Sequence, residues 1–171
     1  MNLEINEMTM EVTNINTGVE NHRDETVLAT DISLSANLPV DALSKFSDTD
    51  KDWAKVWKSL LWNNKGEITG HCLSHIEFQH EFTDHTVRIQ DEDSNTMEFA
   101  SARVRKFTAA PLPGYRINLK FQVRVHPDKR ENGELTALQK EDTAVEIIGS
   151  PQGDLLQEDG KVADINSAKD K

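Results

Sequence analysis

Apolar and polar residues alternate with a period of two along most of the chain, and the departures from that period mark its helices and turns. Met8, Met10 and Val12 alternate with Thr9, Glu11 and Thr13, which predicts a half-buried strand running to about Ile15 and broken by Thr17 and Gly18. A charged loop from Glu20 to Thr26 follows. Leu28, Ile32, Leu34 and Ala36 then share one parity, and Asp31, Ser33 and Ser35 hold the other. Pro39 suits the first turn of a short helical segment in which Val40, Leu43 and Phe46 recur every three residues. Ser47 or Asp48 can cap a second helix whose stripe, Trp53, Val56, Trp57, Leu60 and Leu61, follows helical spacing. Asp48, Asp50 and Asp52 lie near its positive N-terminal end, and Asn63, Asn64 and Gly66 end it.

From Cys72 the period returns to two. Ile76, Phe78, His80 and Phe82 share a face, and a turn at Thr83, Asp84 and His85 before Val87 predicts a hairpin. The acidic turn at 91–95 leads to a strand from about Met97 to Phe107, and Pro111, Pro113 and Gly114 predict a loop. The strongest alternation is Ile117, Leu119, Phe121, Val123 and Val125 against Arg116, Asn118, Lys120, Gln122 and Arg124, stopped by Pro127. A short helix around 134–140 and a strand from Ala144 to Ile148 complete the pattern. About seven strands with few helices predict a mainly β (α+β) fold. Its expected form is an antiparallel β-sandwich or partly open barrel, with a helical insertion at about 39–62 covering one end. The domain is expected over 8–148, with a flexible N-terminus at 1–7 and a flexible tail at 149–171, where apolar residues are too sparse to offset ordering.

Charge sharpens the picture. The 19 Lys and Arg against 30 Asp and Glu give a net charge of −11, which argues against an indiscriminate binder of nucleic acid or anionic membranes. That average conceals a segment, 99–130, with eight basic residues and one acid. If its two strands pair, Arg116, Lys120 and Arg124 line the face opposite the apolar row, with Arg103, Arg105 or Lys106 beside them. Such a strip can meet phosphates or an acidic partner through charged hydrogen bonds. More simply, it can be a solvated face whose charges pair with acids of the same molecule. It offers Asn118, Gln122 and His126 where single-strand binders place aromatic rings.

Other chemistry is sparse. His71, Cys72, His75, His80 and His85 are zinc-ligand types, but His75 and His80 fall on opposite strand faces and no paired-ligand spacing occurs, so no metal is expected. Asp48 to Asp52 resembles the start of a calcium loop, yet Trp53 and Ser59 stand where Gly and Glu are required. No catalytic motif is present. Glu77 and Glu81 could form a carboxylate pair, but exposed strand carboxylates are far commoner, so neither an enzyme nor a cofactor is expected. No apolar run is long enough to span a membrane, the N-terminus lacks the regions of a signal peptide, and the lone Cys72 fits a reducing cytoplasm.

The order of elements carries a resemblance. Asn16-Thr-Gly-Val-Glu-Asn-His-Arg-Asp-Glu-Thr-Val-Leu-Ala-Thr-Asp-Ile32 through Leu34, then Asp41-Ala-Leu43, Leu60-Leu61 and Ile76-Glu-Phe78, are followed by Ala102-Arg-Val-Arg-Lys-Phe107 and Gly114 to Pro127. With Gly133 to Leu138 and Val145-Glu-Ile147, the pattern resembles a family of small tailed-phage and prophage proteins often encoded near recombination and replication genes. The resemblance implies a non-enzymatic accessory of phage DNA recombination or replication in the host bacterial cytoplasm. Its basic strand pair would contact single-stranded DNA or a DNA-bound phage or host protein. The acidic residues of 1–50 and the acidic turn at 91–93 suggest a second function, a DNA-mimicking or protein-directed inhibitor of a host nuclease or defence complex. A minor virion component is a third, and exposed sheet edges offer a route to a homodimer.

Overall fold

The computed structural model describes residues 3–22, 25–46, 53–69 and 75–149. The strands are β1 (Ile5–His22), β2 (Glu25–Pro39), β3 (Ile76–Phe78), β4 (Phe82–Gln90), β5 (Thr96–Leu112), β6 (Arg116–Val125) and β7 (Asp142–Ile148). Antiparallel ladders run β1–β2–β6–β5–β4–β7 and return to β1, closing a six-stranded barrel, and β3 lies outside the ring against β5. Closure is more specific than the expected sandwich or partly open barrel. It follows from β5, which pairs β4 over its first half and β6 over its second.

The interior explains which residues alternate. Ile32 and Leu34, the inward row from Ile117 to Val125, Val87 and Ile89, and Val145 and Ile147 are all buried. Small barrels of this kind are filled by side chains. Phe107 sits at the centre, edge-on to Phe82 with centroids 5.6 Å apart and stacked on Phe121 at 5.3 Å.

The long strands keep their apolar residues inside by slipping phase. In β5 the buried residues are Met97 and Phe99, then Ala102 and Val104, then Phe107 and Ala109. Ser101 and Lys106, at φ 54° and 57°, lie at the two changes of parity. In β4 the change between Phe82 and His85 carries Asp84 at φ 58°. Such bulges bend a strand and raise its twist, which a closed sheet requires.

Several local expectations are corrected. Gly18 does not break β1, because it is paired with Ala29 of β2, so the two strands form a long hairpin through 22 and 25. Leu3 and Ile5 are buried, and the strand begins at Ile5 rather than Met8. Residues 83–85 are a bulge within β4, and β3 and β4 each pair with β5 rather than with each other. Pro111 belongs to β5.

Helical pieces sit at both ends of β6. The 3₁₀ segment Val40–Phe46 matches its three-residue repeat. Helix α1 (Trp53–Leu61) turns Ala54 and Leu61 inward and leaves Val56 and Leu60 exposed, so its stripe is rotated from the expected one. Trp62, just past α1, is buried instead, and its indole Nε1 donates to Leu112 O at 2.8 Å. Tyr115 Oη donates to Asn63 O at 2.7 Å and Gly114 N to Gly66 O at 2.8 Å, fixing this piece to the β5–β6 turn. Gly66 has φ 75°, and a Cβ there would lie 3.1 Å from the Tyr115 ring. At the other end, α2 (Lys129–Ala137) contributes Leu135, and the following residue Leu138 joins it in the core. The expected caps of α1 at 47–48 and the tail from 150 lie outside the described residues. Among the described residues no helix is long and apolar enough to cross a membrane.

Candidate nucleic-acid interface

The outer faces of β2, β6 and β5 form one continuous polar surface, because their inward positions are apolar apart from the buried Thr30 and strand side chains alternate. Register pairs Asp31 with Arg124 and Arg124 with Arg103, Ser33 with Gln122 and Gln122 with Arg105, and Ser35 with Lys120 and Lys120 with Thr108. Five of the basic residues singled out in the sequence, Arg103, Arg105, Arg116, Lys120 and Arg124, are therefore brought to one face, with Arg116 at its far end opposite Pro39 and Leu112.

Three of the five are held by carboxylates of the same chain. Arg124 Nε and Nη2 donate to the two oxygens of Asp31 at 2.8 and 2.7 Å, and its Nη1 donates to Glu20 at 2.6 Å. Arg105 Nη2 reaches Asp31 Oδ1 at 3.3 Å, and Arg103 Nε pairs with Glu81 at 3.1 Å. Glu20 also lies 3.3 Å from His126 Nε2. Arg116 donates to the Asn37 carbonyl at 3.1 Å, and Lys120 is exposed with no ion pair among the described residues. Asn118 Nδ2 bonds Ser35 Oγ and Asn37 Oδ1, so the floor between these two cations is itself fixed.

Asp31 anchors the cluster. Burial pushes its carboxyl up, but the hydrogen bonds and charge of Arg124, and then of Arg105, outweigh burial and hold its pKa below the ordinary value of 3.8. The same pairing raises Arg124, with the hydrogen bond to Asp31 as the largest cause. The alternation along β2 puts Asp31 on the polar parity but names no partner for it. The signal was its position as the one carboxylate among Ser33, Ser35 and Asn37 on a strand able to pair with a basic one.

The opposite face differs. Outward positions on β1, β7, β4 and β5 carry Glu7, Glu11, Asp142, Glu146 and Glu98, with Arg88 bridging Glu98 at 2.7 Å and Glu146 at 3.0 Å. The acidic turn after β4 is ordered by Asp91, whose carboxylate accepts from Asn95 N and Nδ2, each at 2.8 Å. Charge is thus segregated around the barrel.

The histidines considered for zinc are dispersed. His85 is buried, its Nε2 accepting from Leu3 N at 3.2 Å while Nδ1 faces the Thr83 carbonyl at 2.8 Å, so both ring nitrogens are engaged and Nδ1 carries the proton. His75 lies 3.2 Å from Glu77, and His80 stacks on Phe82. Among the described residues no three potential ligands come together, and His71 and Cys72 lie outside them. Glu77 and Glu81 turn to His75 and Arg103 rather than to each other. Compared with family models, curated proteins and solved structures, the chain has no match.

Proposed function

We propose that the protein is a non-enzymatic binding protein, phage-encoded as the resemblance implies, and an accessory to phage DNA recombination or replication. It holds single-stranded DNA by the sugar–phosphate backbone across the outer face of β2, β6 and β5. The observation that supports this reading is the exposed pair Arg116 and Lys120 on a polar face whose other arginines are already immobilised. Fixed donors lose little freedom when a phosphate arrives. The face carries Arg103, Arg105, Lys106, Arg116, Lys120 and Arg124 against Glu20, Asp31 and Glu81. About three net cations give an expected slope of log affinity against log salt of about −2 for a single strand. Fluorescence anisotropy with labelled single-stranded oligonucleotides should show that slope. Arg116→Ala with Lys120→Ala should weaken binding about tenfold or more at low salt, with unfolding changed by less than about 0.5 kcal/mol. Absence of binding to single- or double-stranded oligonucleotides at low salt would remove this reading.

Charge segregation favours a second one, an acidic inhibitor of a host nuclease or defence complex. Here the face with Glu7, Glu98 and Glu146 occupies a basic groove in place of DNA. Replacing those three by Gln should abolish any inhibition of nuclease activity in host lysate. A lysate pull-down containing only the bait counts against it.

A further inference from the structure

Two cations on the basic face are left unmatched by the barrel's own carboxylates. Among the described residues Arg116 gives its hydrogen bond to the Asn37 carbonyl, and the exposed Lys120 has no ion pair. Matching charge lies farther along the same chain. The stretch 154–164 holds Asp154, Glu158, Asp159 and Asp164 against a single base, Lys161. Register fixes where that stretch starts from. Ile148 pairs with Thr86 of β4, His85 with Ala102 of β5, and Arg103 with Arg124 of β6. The end of β7 therefore lies three strands, about 15 Å, from Arg124, and Lys120 stands about 13 Å farther along β6. Asp154 comes six residues after Ile148 and Glu158 ten, spans of at most about 20 and 33 Å. Arg124 lies within the first reach and Lys120 within the second. The opposite direction is unfavourable, because β1 and β7 carry Glu7, Glu11, Asp142 and Glu146 outward and repel further acids.

We infer that the acidic stretch 154–164 docks on the outer face of β6 and β2, with Glu158 and Asp159 at Lys120 and Asp164 within reach of Arg116. The contact is one of opposite charges. A tethered segment meets such a face at an effective concentration on the order of millimolar. A second copy of the chain meets it only at its bulk concentration, and each copy's net charge of −11 opposes the approach. Any nucleic-acid strand on this face has to displace the stretch, which makes it an internal competitor. The docking itself does not depend on the backbone-binding reading.

The test uses the full chain with Cys72→Ser and a nitroxide on Gln157→Cys, read at low salt as paramagnetic broadening of backbone amides. Broadening should be concentrated on 118–122 of β6 and 33–37 of β2, with 7–11 of β1 unaffected. Asp154→Asn, Glu158→Gln, Asp159→Asn and Asp164→Asn together should remove most of it. So should about 1 M salt, which screens charges beyond about 3 Å. If Cys72→Ser fails to fold, the amide shifts of 116–122 in the native chain and in the fourfold variant carry the same comparison, and identical shifts overturn the inference. Broadening spread evenly over the barrel, or unchanged by neutralisation, also overturns it. Broadening transferred to unlabelled copies in a mixed sample gives the face to a second copy and overturns it too. Because the readout needs no nucleic acid, docking without DNA binding would remove the backbone reading alone, and DNA binding without docking would remove this inference alone.

Discussion

Asp31 shows how one side chain can set the character of a face. Its carboxylate takes three hydrogen bonds from Arg124 and Arg105 while nearly excluded from solvent, so two arginines that would otherwise repel are held side by side. Removing its charge leaves both without their main partner. Asp31→Asn should therefore cost about 1–3 kcal/mol at neutral pH, read as a lower urea midpoint. The pH dependence has a definite sign. Because the folded pKa lies below the unfolded one, this stabilisation is fully present above the unfolded pKa of about 4 and is lost as pH falls through the folded value. The difference between native protein and variant should accordingly narrow as pH falls below about 4, and a constant difference would separate Asp31 from the acid response. Lys106 is the complementary case, a side chain in the left-handed region inside a strand. Lys106→Gly should leave stability unchanged or raise it by up to about 1 kcal/mol, whereas Lys106→Val should lower it by about 1–2 kcal/mol.

At the scale of elements, legibility depended on whether the signal was local. β6 was readable almost to the residue because ten consecutive positions alternate without interruption. β5 contained equally clear apolar positions, but their parity changes twice, and only its two sets of neighbours explain why Ala102 and Phe107 both face inward. The rotated stripe of α1 had the same origin. Tertiary contact through Trp62 selects the face, and helical spacing alone does not. Helix α2 could have been placed correctly, since Asp128 and Glu131 form a reciprocal capping box just after Pro127. Asp128 Oδ1 accepts from Glu131 N at 2.8 Å, and Glu131 Oε2 accepts from Asp128 N at 2.7 Å. The apolar residues after Gly133 drew the expected helix towards 134–140. Opposite effects are expected from two substitutions in this element. Asp128→Ala should lower stability by about 1 kcal/mol. Gly133→Ala, where an added Cβ meets nothing within 4 Å, should raise it by about 0.5–1 kcal/mol. Equilibrium urea unfolding measures both, and a destabilised Gly133→Ala would contradict the helical geometry there.

For the whole molecule, closing the sheet turns a linear charge pattern into two faces. The basic strands read from the sequence do lie together, but closure also brings Glu20 and Asp31, distant in sequence from β6, onto their surface. The acids of the first fifty residues consequently divide: Glu20 and Asp31 offset the arginines, while Glu7 and Glu11 join the acidic side. No local pattern could have made that division, because it depends on which strands meet around the ring. It also implies that the basic face is held below its full charge by the chain itself. Glu20 is the carboxylate best suited to test this, since Arg124 keeps its two-oxygen contact with Asp31 when Glu20 is neutralised. Glu20→Gln adds one net positive charge to the face without leaving a buried cation unpaired. On single-stranded oligonucleotides it should tighten binding at low salt and steepen the salt slope by about 0.7, while Glu98→Gln on the far side should change the slope far less. Equal responses of the two variants would mean that affinity follows net charge alone and that the face spanning β2, β6 and β5 has no privileged contact with the strand.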